Sequence, residues 1–167
     1  MSRMLLSLLC FATVAAAEPY TYRDGEASGA GEAPARLVSP VPFDKRYEQL
    51  NEAERTALRS RQTLPAECEP PFPLEGWRPL FEQLTRYQAR SGIDVAGQMA
   101  FTLQVDQAGT VTDVTIQRSP SERLNRMASQ LLRDVPFKPA RCKGEASAMA
   151  YKLDFELLAP PNRVERD

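Results

Sequence analysis

The chain has 167 residues, 43% hydrophobic and 26% charged, enough for one modest globular domain with extensions. Its 21 basic and 22 acidic side chains nearly cancel, so no overall field draws it onto nucleic acid or anionic lipid. Histidine is absent, which leaves any serine or cysteine nucleophile without its usual base. Residues 1–17, MSRMLLSLLCFATVAAA, combine a basic Arg3, an apolar run and the small-residue motif Ala15-Ala16-Ala17. That is the pattern of a cleavable secretory signal, and it is shorter than the roughly 20 residues that span a bilayer. Cys10 follows a bulky leucine, a poor lipid-attachment context, and is read as part of the signal.

Residues 18–43 scatter Gly, Ala, Ser and Pro without apolar periodicity and read as a disordered linker. Residues 44–69 read as a short helical extension. Tyr47 and Leu50 mark one turn, Asn51 with Glu54 has the capping-box spacing, and Ala53, Ala57 and Leu58 form a thin apolar stripe. The proline-punctuated stretch from Leu64 to Gly76 must be extended. Trp77, Leu80, Phe81, Leu84 and Tyr87 then recur at the spacing of one buried helical face. Arg86 and Arg90 sit at its C-terminal end, and Gly92 is the expected stop.

Met99, Phe101, Leu103 and Val105 alternate with polar or small residues, as in a half-buried strand, and Asp106–Gly109 makes the turn. In the return strand Val111 is out of phase with Val114 and Ile116, which predicts a bulge or twist between residues 111 and 114. Ser119, Pro120 and Glu122 fit N-cap, first and third helical positions. They open a helix carrying Leu124, Met127, Ala128, Leu131, Leu132 and Val135, which Pro136 ends. Residues 137–147 read as a loop. Met149, Tyr151, Leu153, Phe155 and Leu157 alternate with Ala150, Lys152, Asp154 and Glu156 as a final strand, and residues 159–167 as a frayed tail.

Residues 70–158 therefore follow the order α-β-β-α-β. Both helices are amphipathic and all strands are one-faced, which predicts an α+β two-layer sandwich of two helices on a three-stranded antiparallel sheet. Chain direction puts the hairpin's first strand at the centre and the final strand at an edge.

The remaining side chains offer little chemistry. Asp106, Asp113, Asp154 and Glu156 fall on the polar phases of strands and read as a solvated sheet face rather than as acid–base pairs. Arg123, Arg126 and Arg133 read as a solvated helix face rather than a docking patch. The aromatics read as core. Once the signal is removed, Cys68 and Cys142 are left in an exported protein, and an even pair in an oxidising compartment predicts a disulfide. Without histidine or a Cys-x-x-Cys motif, zinc and redox readings fare badly. No cofactor, metal or catalytic residue is expected.

The stretch GQMAFTLQVDQAGTVTDVTIQRSPSERLNRMASQLLRDVPFKPA, ending in YKLDFEL, resembles the C-terminal domain of TonB-type energy transducers. The matching features are Gly97 opening a strand, Gly109-x-Val111 at the turn, Val114-x-Ile116 with Ser119, the helix around Leu124, Phe137-x-Pro139-Ala140 and the aromatic last strand. Pro70-Pro71-Phe72-Pro73 resembles the family's proline-aromatic-proline segment. The resemblance implies a non-enzymatic periplasmic module that binds segments of outer-membrane receptors or other envelope proteins by strand addition, in TonB-dependent transport. Full transducers of the family have an uncleaved membrane helix and a long proline-rich spacer. Here the N-terminus reads as cleavable and the spacer as short. The partner-binding edge is expected to be Met149, Ala150, Tyr151, Lys152, Leu153, Asp154, Phe155, Glu156 and Leu157, open also to self-association. No small-molecule substrate and no nucleic acid are expected. The alternative is an envelope structural or assembly protein that shares the fold.

Overall fold

The computed structural model of the chain describes residues 19–23, 35–91 and 95–159. The expected signal segment, Gly92 and nearly all of the expected tail lie outside them. In chain order the elements are β1 (Tyr20–Arg23), β2 (Ala35–Ser39), α1 (Glu52–Arg61), β3 (Cys68–Glu69), β4 (Phe72–Pro73), α2 (Arg78–Ser91), β5 (Gly97–Val105), β6 (Val111–Arg118), α3 (Glu122–Arg133), β7 (Phe137–Lys138), β8 (Ala140–Cys142), β9 (Glu145–Ser147) and β10 (Met149–Leu157). Among the described residues no helix is long and apolar enough to cross a membrane.

The fold is α+β, and its main sheet runs β1-β2-β10-β5-β6 with every pair antiparallel. The expected core β6-β5-β10 is present with the hairpin's first strand in the middle. The sheet nevertheless has five strands, not three. β1 and β2 arise from residues 18–43, read from sequence as linker, and they extend the sheet beyond β10. The reason is local: in Arg36-Leu37-Val38-Ser39 the Leu37 side chain is fully buried in the core, and that burial outweighs the surrounding Gly, Ala and Pro. Residues 24–34 of the same stretch lie outside the described residues.

Phe101, Leu103, Tyr151, Leu153 and Phe155 point from the sheet into one core shared with Trp77, Phe81 and Leu84 of the α2 region and Leu124 and Leu132 of α3. Gln98, Gln104, Lys152 and Glu156 occupy the opposite, exposed phase. The expected bulge is present: Gln104 pairs with Asp113 but Val105 with Val111. Gly109, at φ 84°, closes the hairpin where a Cβ would lie 2.0 Å from the Phe137 carbonyl oxygen. Its own carbonyl accepts from Phe137 N at 3.0 Å.

Two local expectations need correction. The cap of α3 is Ser121, whose side chain accepts from Leu124 N, because Ser119 instead holds the Ser121 N–H through a short turn. Residues 137–147 are not a loop. β8 and β9 form a hairpin turned at Lys143 and Gly144, with φ 53° and 86°, the two positive values that a type I′ turn requires. β3 pairs with β8, and β4 with β7, so the extended proline stretch is stitched to this hairpin region.

The expected capping box of the helical extension is present, while its last residues, Cys68 and Glu69, form β3. Asn51 accepts from Glu54 N, and Asn51 N donates back to the Glu54 carboxylate, each at 2.9 Å. Leu58 is buried while Ala53 is exposed, so the inner face of α1 is set by Glu54 and Leu58. The preceding single turn, Tyr47–Gln49, buries Tyr47. Arg55 lies 5.2 Å and the Lys138 ammonium 4.2 Å from that ring's centre.

Candidate functional site

β10 gathers the nine expected partner-binding residues in one strand, Tyr151, Leu153, Phe155 and Leu157 buried and Lys152 and Glu156 exposed. On one side every residue is paired with β5, from Met149 opposite Val105 to Leu157 opposite Gly97. The other side differs from the open edge that was expected. At its C-terminal end β2 pairs with it, Glu156 opposite Val38 and Leu157 opposite Leu37, and Leu158 N donates to Arg36 O at 3.0 Å. This ladder then stops. Continued in the same register it would place Pro40 opposite Asp154 and Pro42 opposite Lys152, and proline has no N–H to donate.

At Lys152 that side is met by Gln62, the residue that caps the end of α1. Lys152 N donates to Gln62 Oε1 at 2.7 Å, and Gln62 Nε2 donates to Lys152 O at 2.9 Å. One side-chain amide thus does what a peptide group of an adjacent strand would do. Beside it Arg61 pairs with Asp154 at 3.2 Å and Lys152 Nζ donates to Thr63 Oγ1 at 2.8 Å. Gln62 is 9% exposed, whereas the Arg61 and Asp154 side chains are 42% and 47% exposed. An ion pair that open contributes at most about 1 kcal/mol.

Several contacts position this cover. Leu58 is buried in the core. Glu54 receives Lys45 Nζ at 2.6 Å and the Tyr20 hydroxyl at 3.2 Å, joining α1 to β1. Burial alone would raise the Glu54 carboxyl, but the hydrogen bonds from Lys45 and the Asn51 backbone outweigh it and hold it below the usual carboxylate range. The Tyr20 hydroxyl is shifted upwards, by burial first and by Glu54 second. Arg59 donates to the carbonyls of Ala66 and Cys68, and Cys68 is bonded to Cys142 as expected. Lys138 donates to Glu69 at 2.9 Å and lowers its pKa.

β2 is fixed differently. Leu37 enters the core, while Arg36, 5% exposed, donates to Gln88 Oε1 at 3.2 Å and leaves its Nε without a partner. Gln88 in turn donates to Val95 O at 2.7 Å, tying β2 to α2 and the approach to β5. No ion-pair partner for Arg36 is found among the described residues.

Gln62, Arg61, Thr63 and the β2 residues Arg36, Leu37 and Val38 are the site residues that sequence reading missed. The Leu37-Val38 pair ahead of Pro40 was a faint strand signal. Nothing in the sequence marks Gln62.

Residues 88–157 match the family described as Gram-negative bacterial TonB protein C-terminal, a span from the end of α2 through the whole of β10. No curated protein matches the chain.

Proposed function

Since the chain belongs, through residues 88–157, to the TonB C-terminal domain family of periplasmic protein-interaction modules, we propose that it takes up extended segments of outer-membrane or envelope proteins by strand addition along β10. The observation that carries this reading is the asymmetry of β10. It has nine paired residues towards β5 but two ladder pairs towards β2. Between Ala150 and Asp154 the far side meets side chains instead of a strand. An added strand would gain main-chain hydrogen bonds there, and Lys152 and Asp154 would supply modest selectivity. The chain acts as a binding module without catalysis, in the periplasm, with receptor segments of TonB-dependent transport as the first partners to test.

The second reading, an envelope structural or assembly component, draws support from β2 and Gln62, because a domain that completes its own sheet needs no strand from outside. One experiment separates them. Amide chemical shifts of the signal-free chain are followed while synthetic peptides covering the periplasmic N-terminal segments of outer-membrane receptors are added. Strand addition moves the amides of residues 150–154. Shifts confined to α2 and α3, or none at saturating peptide, refute it.

A further inference from the structure

We propose that the segment Arg61–Glu67 is a lid over the β10 edge, with the Gln62 amide as its catch, and that a partner strand enters by taking the place of that amide. The inference rests on the reading of β10 as the strand-accepting edge and adds how access to it is controlled.

The lid is anchored at both ends, its downstream part also by Arg59 to the Ala66 carbonyl and by Lys143 N to the Glu67 carbonyl, and its hold on β10 between them is light. Upstream, Leu58 is buried in the core. Downstream, Cys68 is bonded to Cys142. Between these points the contacts to β10 are the Gln62 amide pair with Lys152, the exposed Arg61–Asp154 ion pair and the Lys152–Thr63 hydrogen bond. A neighbouring strand sits about 4.8 Å away in the hydrogen-bonding direction, the space that Gln62 now fills. Its oxygen accepts from Lys152 N and its nitrogen donates to Lys152 O. An incoming peptide group offers the same acceptor and donor, so the exchange leaves no polar group of Lys152 unpaired at its end. β2 can stay in place throughout, because its ladder ends before Asp154 and its Leu37 is sealed in the core. The fitting occupant is therefore an extended segment without proline at the position facing Lys152, lying in line beyond β2 against Ala150–Asp154.

The lid has a second effect. A bare edge of this length is a template for pairing with another copy, and one amide suffices to block that register while remaining exchangeable. If the closed state dominates, the apparent affinity for a strand is reduced by the open fraction, and loosening the catch restores it.

The test compares the full signal-free chain with Gln62→Ala, which deletes the catch, and Gln62→Glu, which keeps its shape but sets a carboxylate against the Lys152 carbonyl. The probe is a labelled peptide copying Gly97–Val105, the segment that pairs with all nine residues of β10 from the other side. Both variants are expected to exchange the Lys152 amide at least about tenfold faster than the parent chain and to bind the probe about three- to tenfold more tightly, with shifts at residues 150–154. Unchanged Lys152 exchange overturns the proposal, as does faster exchange with unaltered probe affinity, with dimerisation alone, or with probe shifts on β6. If the variants bind the probe but no receptor segment, the lid stands and the receptor reading of the edge fails.

Discussion

Replacing both cysteines by alanine (Cys68→Ala with Cys142→Ala) removes a cross-link between residues 74 apart in sequence. In the chain-entropy account, closing a loop of that size removes about 15 cal/mol/K from the unfolded chain, or about 4.5 kcal/mol at 25 °C. Cys68 is buried, so its truncation adds a small packing loss. Against this, the β3–β8 ladder still aligns residues 68 and 142, and Arg59 still holds the carbonyls of Ala66 and Cys68. These contacts act in the folded state and do not restore the lost constraint on the unfolded one. The expected loss is about 2–4 kcal/mol, a shift of roughly 1–2 M in the urea midpoint. The assay is equilibrium urea unfolding of the oxidised chain and the variant, followed by fluorescence of Trp77, with thiol titration of the parent showing no free Cys68 or Cys142. A difference below about 1 kcal/mol, with the bond intact in the parent, would refute the reasoning by showing an unfolded ensemble already as confined as the bonded one. Because the bond also anchors the lid, the variant should exchange the Lys152 amide faster than its global stability alone dictates.

Gly109→Ala must adopt φ 84° and bring a Cβ to 2.0 Å from the Phe137 carbonyl oxygen. The strain and the disturbed Phe137–Gly109 hydrogen bond should cost at least about 2 kcal/mol in thermal unfolding, and a neutral result would show that the hairpin tip moves freely. Trp77→Phe loses packing against Phe137 and Tyr151, whose ring centres lie 5.7 and 5.5 Å away, together with the polar contact to Tyr151 of an indole nitrogen that makes no well-formed hydrogen bond among the described residues. The expected loss is about 1–3 kcal/mol, and a loss above about 4 would mean that the contact between the indole N–H and Tyr151 is a full hydrogen bond. Glu54 has its pKa lowered on folding, so its contribution is complete above the ordinary carboxylate pKa and disappears as pH falls through the lower, folded value. Unfolding free energy measured from pH 6 to pH 3 should therefore fall more steeply for the parent chain than for Glu54→Gln, and equal slopes would remove Glu54 from the acid response.

The legible part of this molecule was the part whose signals are periodic. Strand alternation in Met99–Val105 and Met149–Leu157 and the helical spacing from Trp77 to Leu84 each fix which face is buried, and each is found as expected. The broken phase at Val111 marks the register shift, but β6 is not the one-faced strand expected, because Val111 is buried while Val114 is half-buried and Ile116 exposed. The Cys68–Cys142 pair was legible from arithmetic and compartment. β2 was not, because five residues between prolines and a glycine-rich stretch carry too few alternations to signal a strand. Its formation depends on a pocket for Leu37 that exists only once the core is assembled. The β8–β9 hairpin was missed for a related reason, since strands of three residues offer no period and the Lys143-Gly144 turn was the only cue. The error at the edge followed. The direction argument ordered the three long strands correctly but assumed that nothing from residues 18–69 would compete for the side of β10 it left open.

That competition has an internal logic in the prolines. Continued past Ser39, β2 would set Pro40 against Asp154 and Pro42 against Lys152, so the carbonyl of Lys152 would face a residue with no hydrogen to give. Leaving such a group buried and unpaired costs on the order of 1–3 kcal/mol. The chain therefore turns away at Pro40, forms α1 and returns to satisfy Lys152 with the Gln62 amide, which carries both a donor and an acceptor. The cover of β10 is thereby divided into two pieces of unequal strength. β2 is held by a leucine fully inside the core and would expose that core if it left. The Gln62 catch is two hydrogen bonds, each of net worth about 1 kcal/mol, and both are remade by whatever peptide replaces it. An arriving strand that spans Ala150–Asp154 forms those two bonds and further ones at its neighbours. Exchange at the catch is downhill in hydrogen bonds, while exchange at β2 is uphill in buried apolar surface. Partner strands should consequently stop at β2 instead of displacing it.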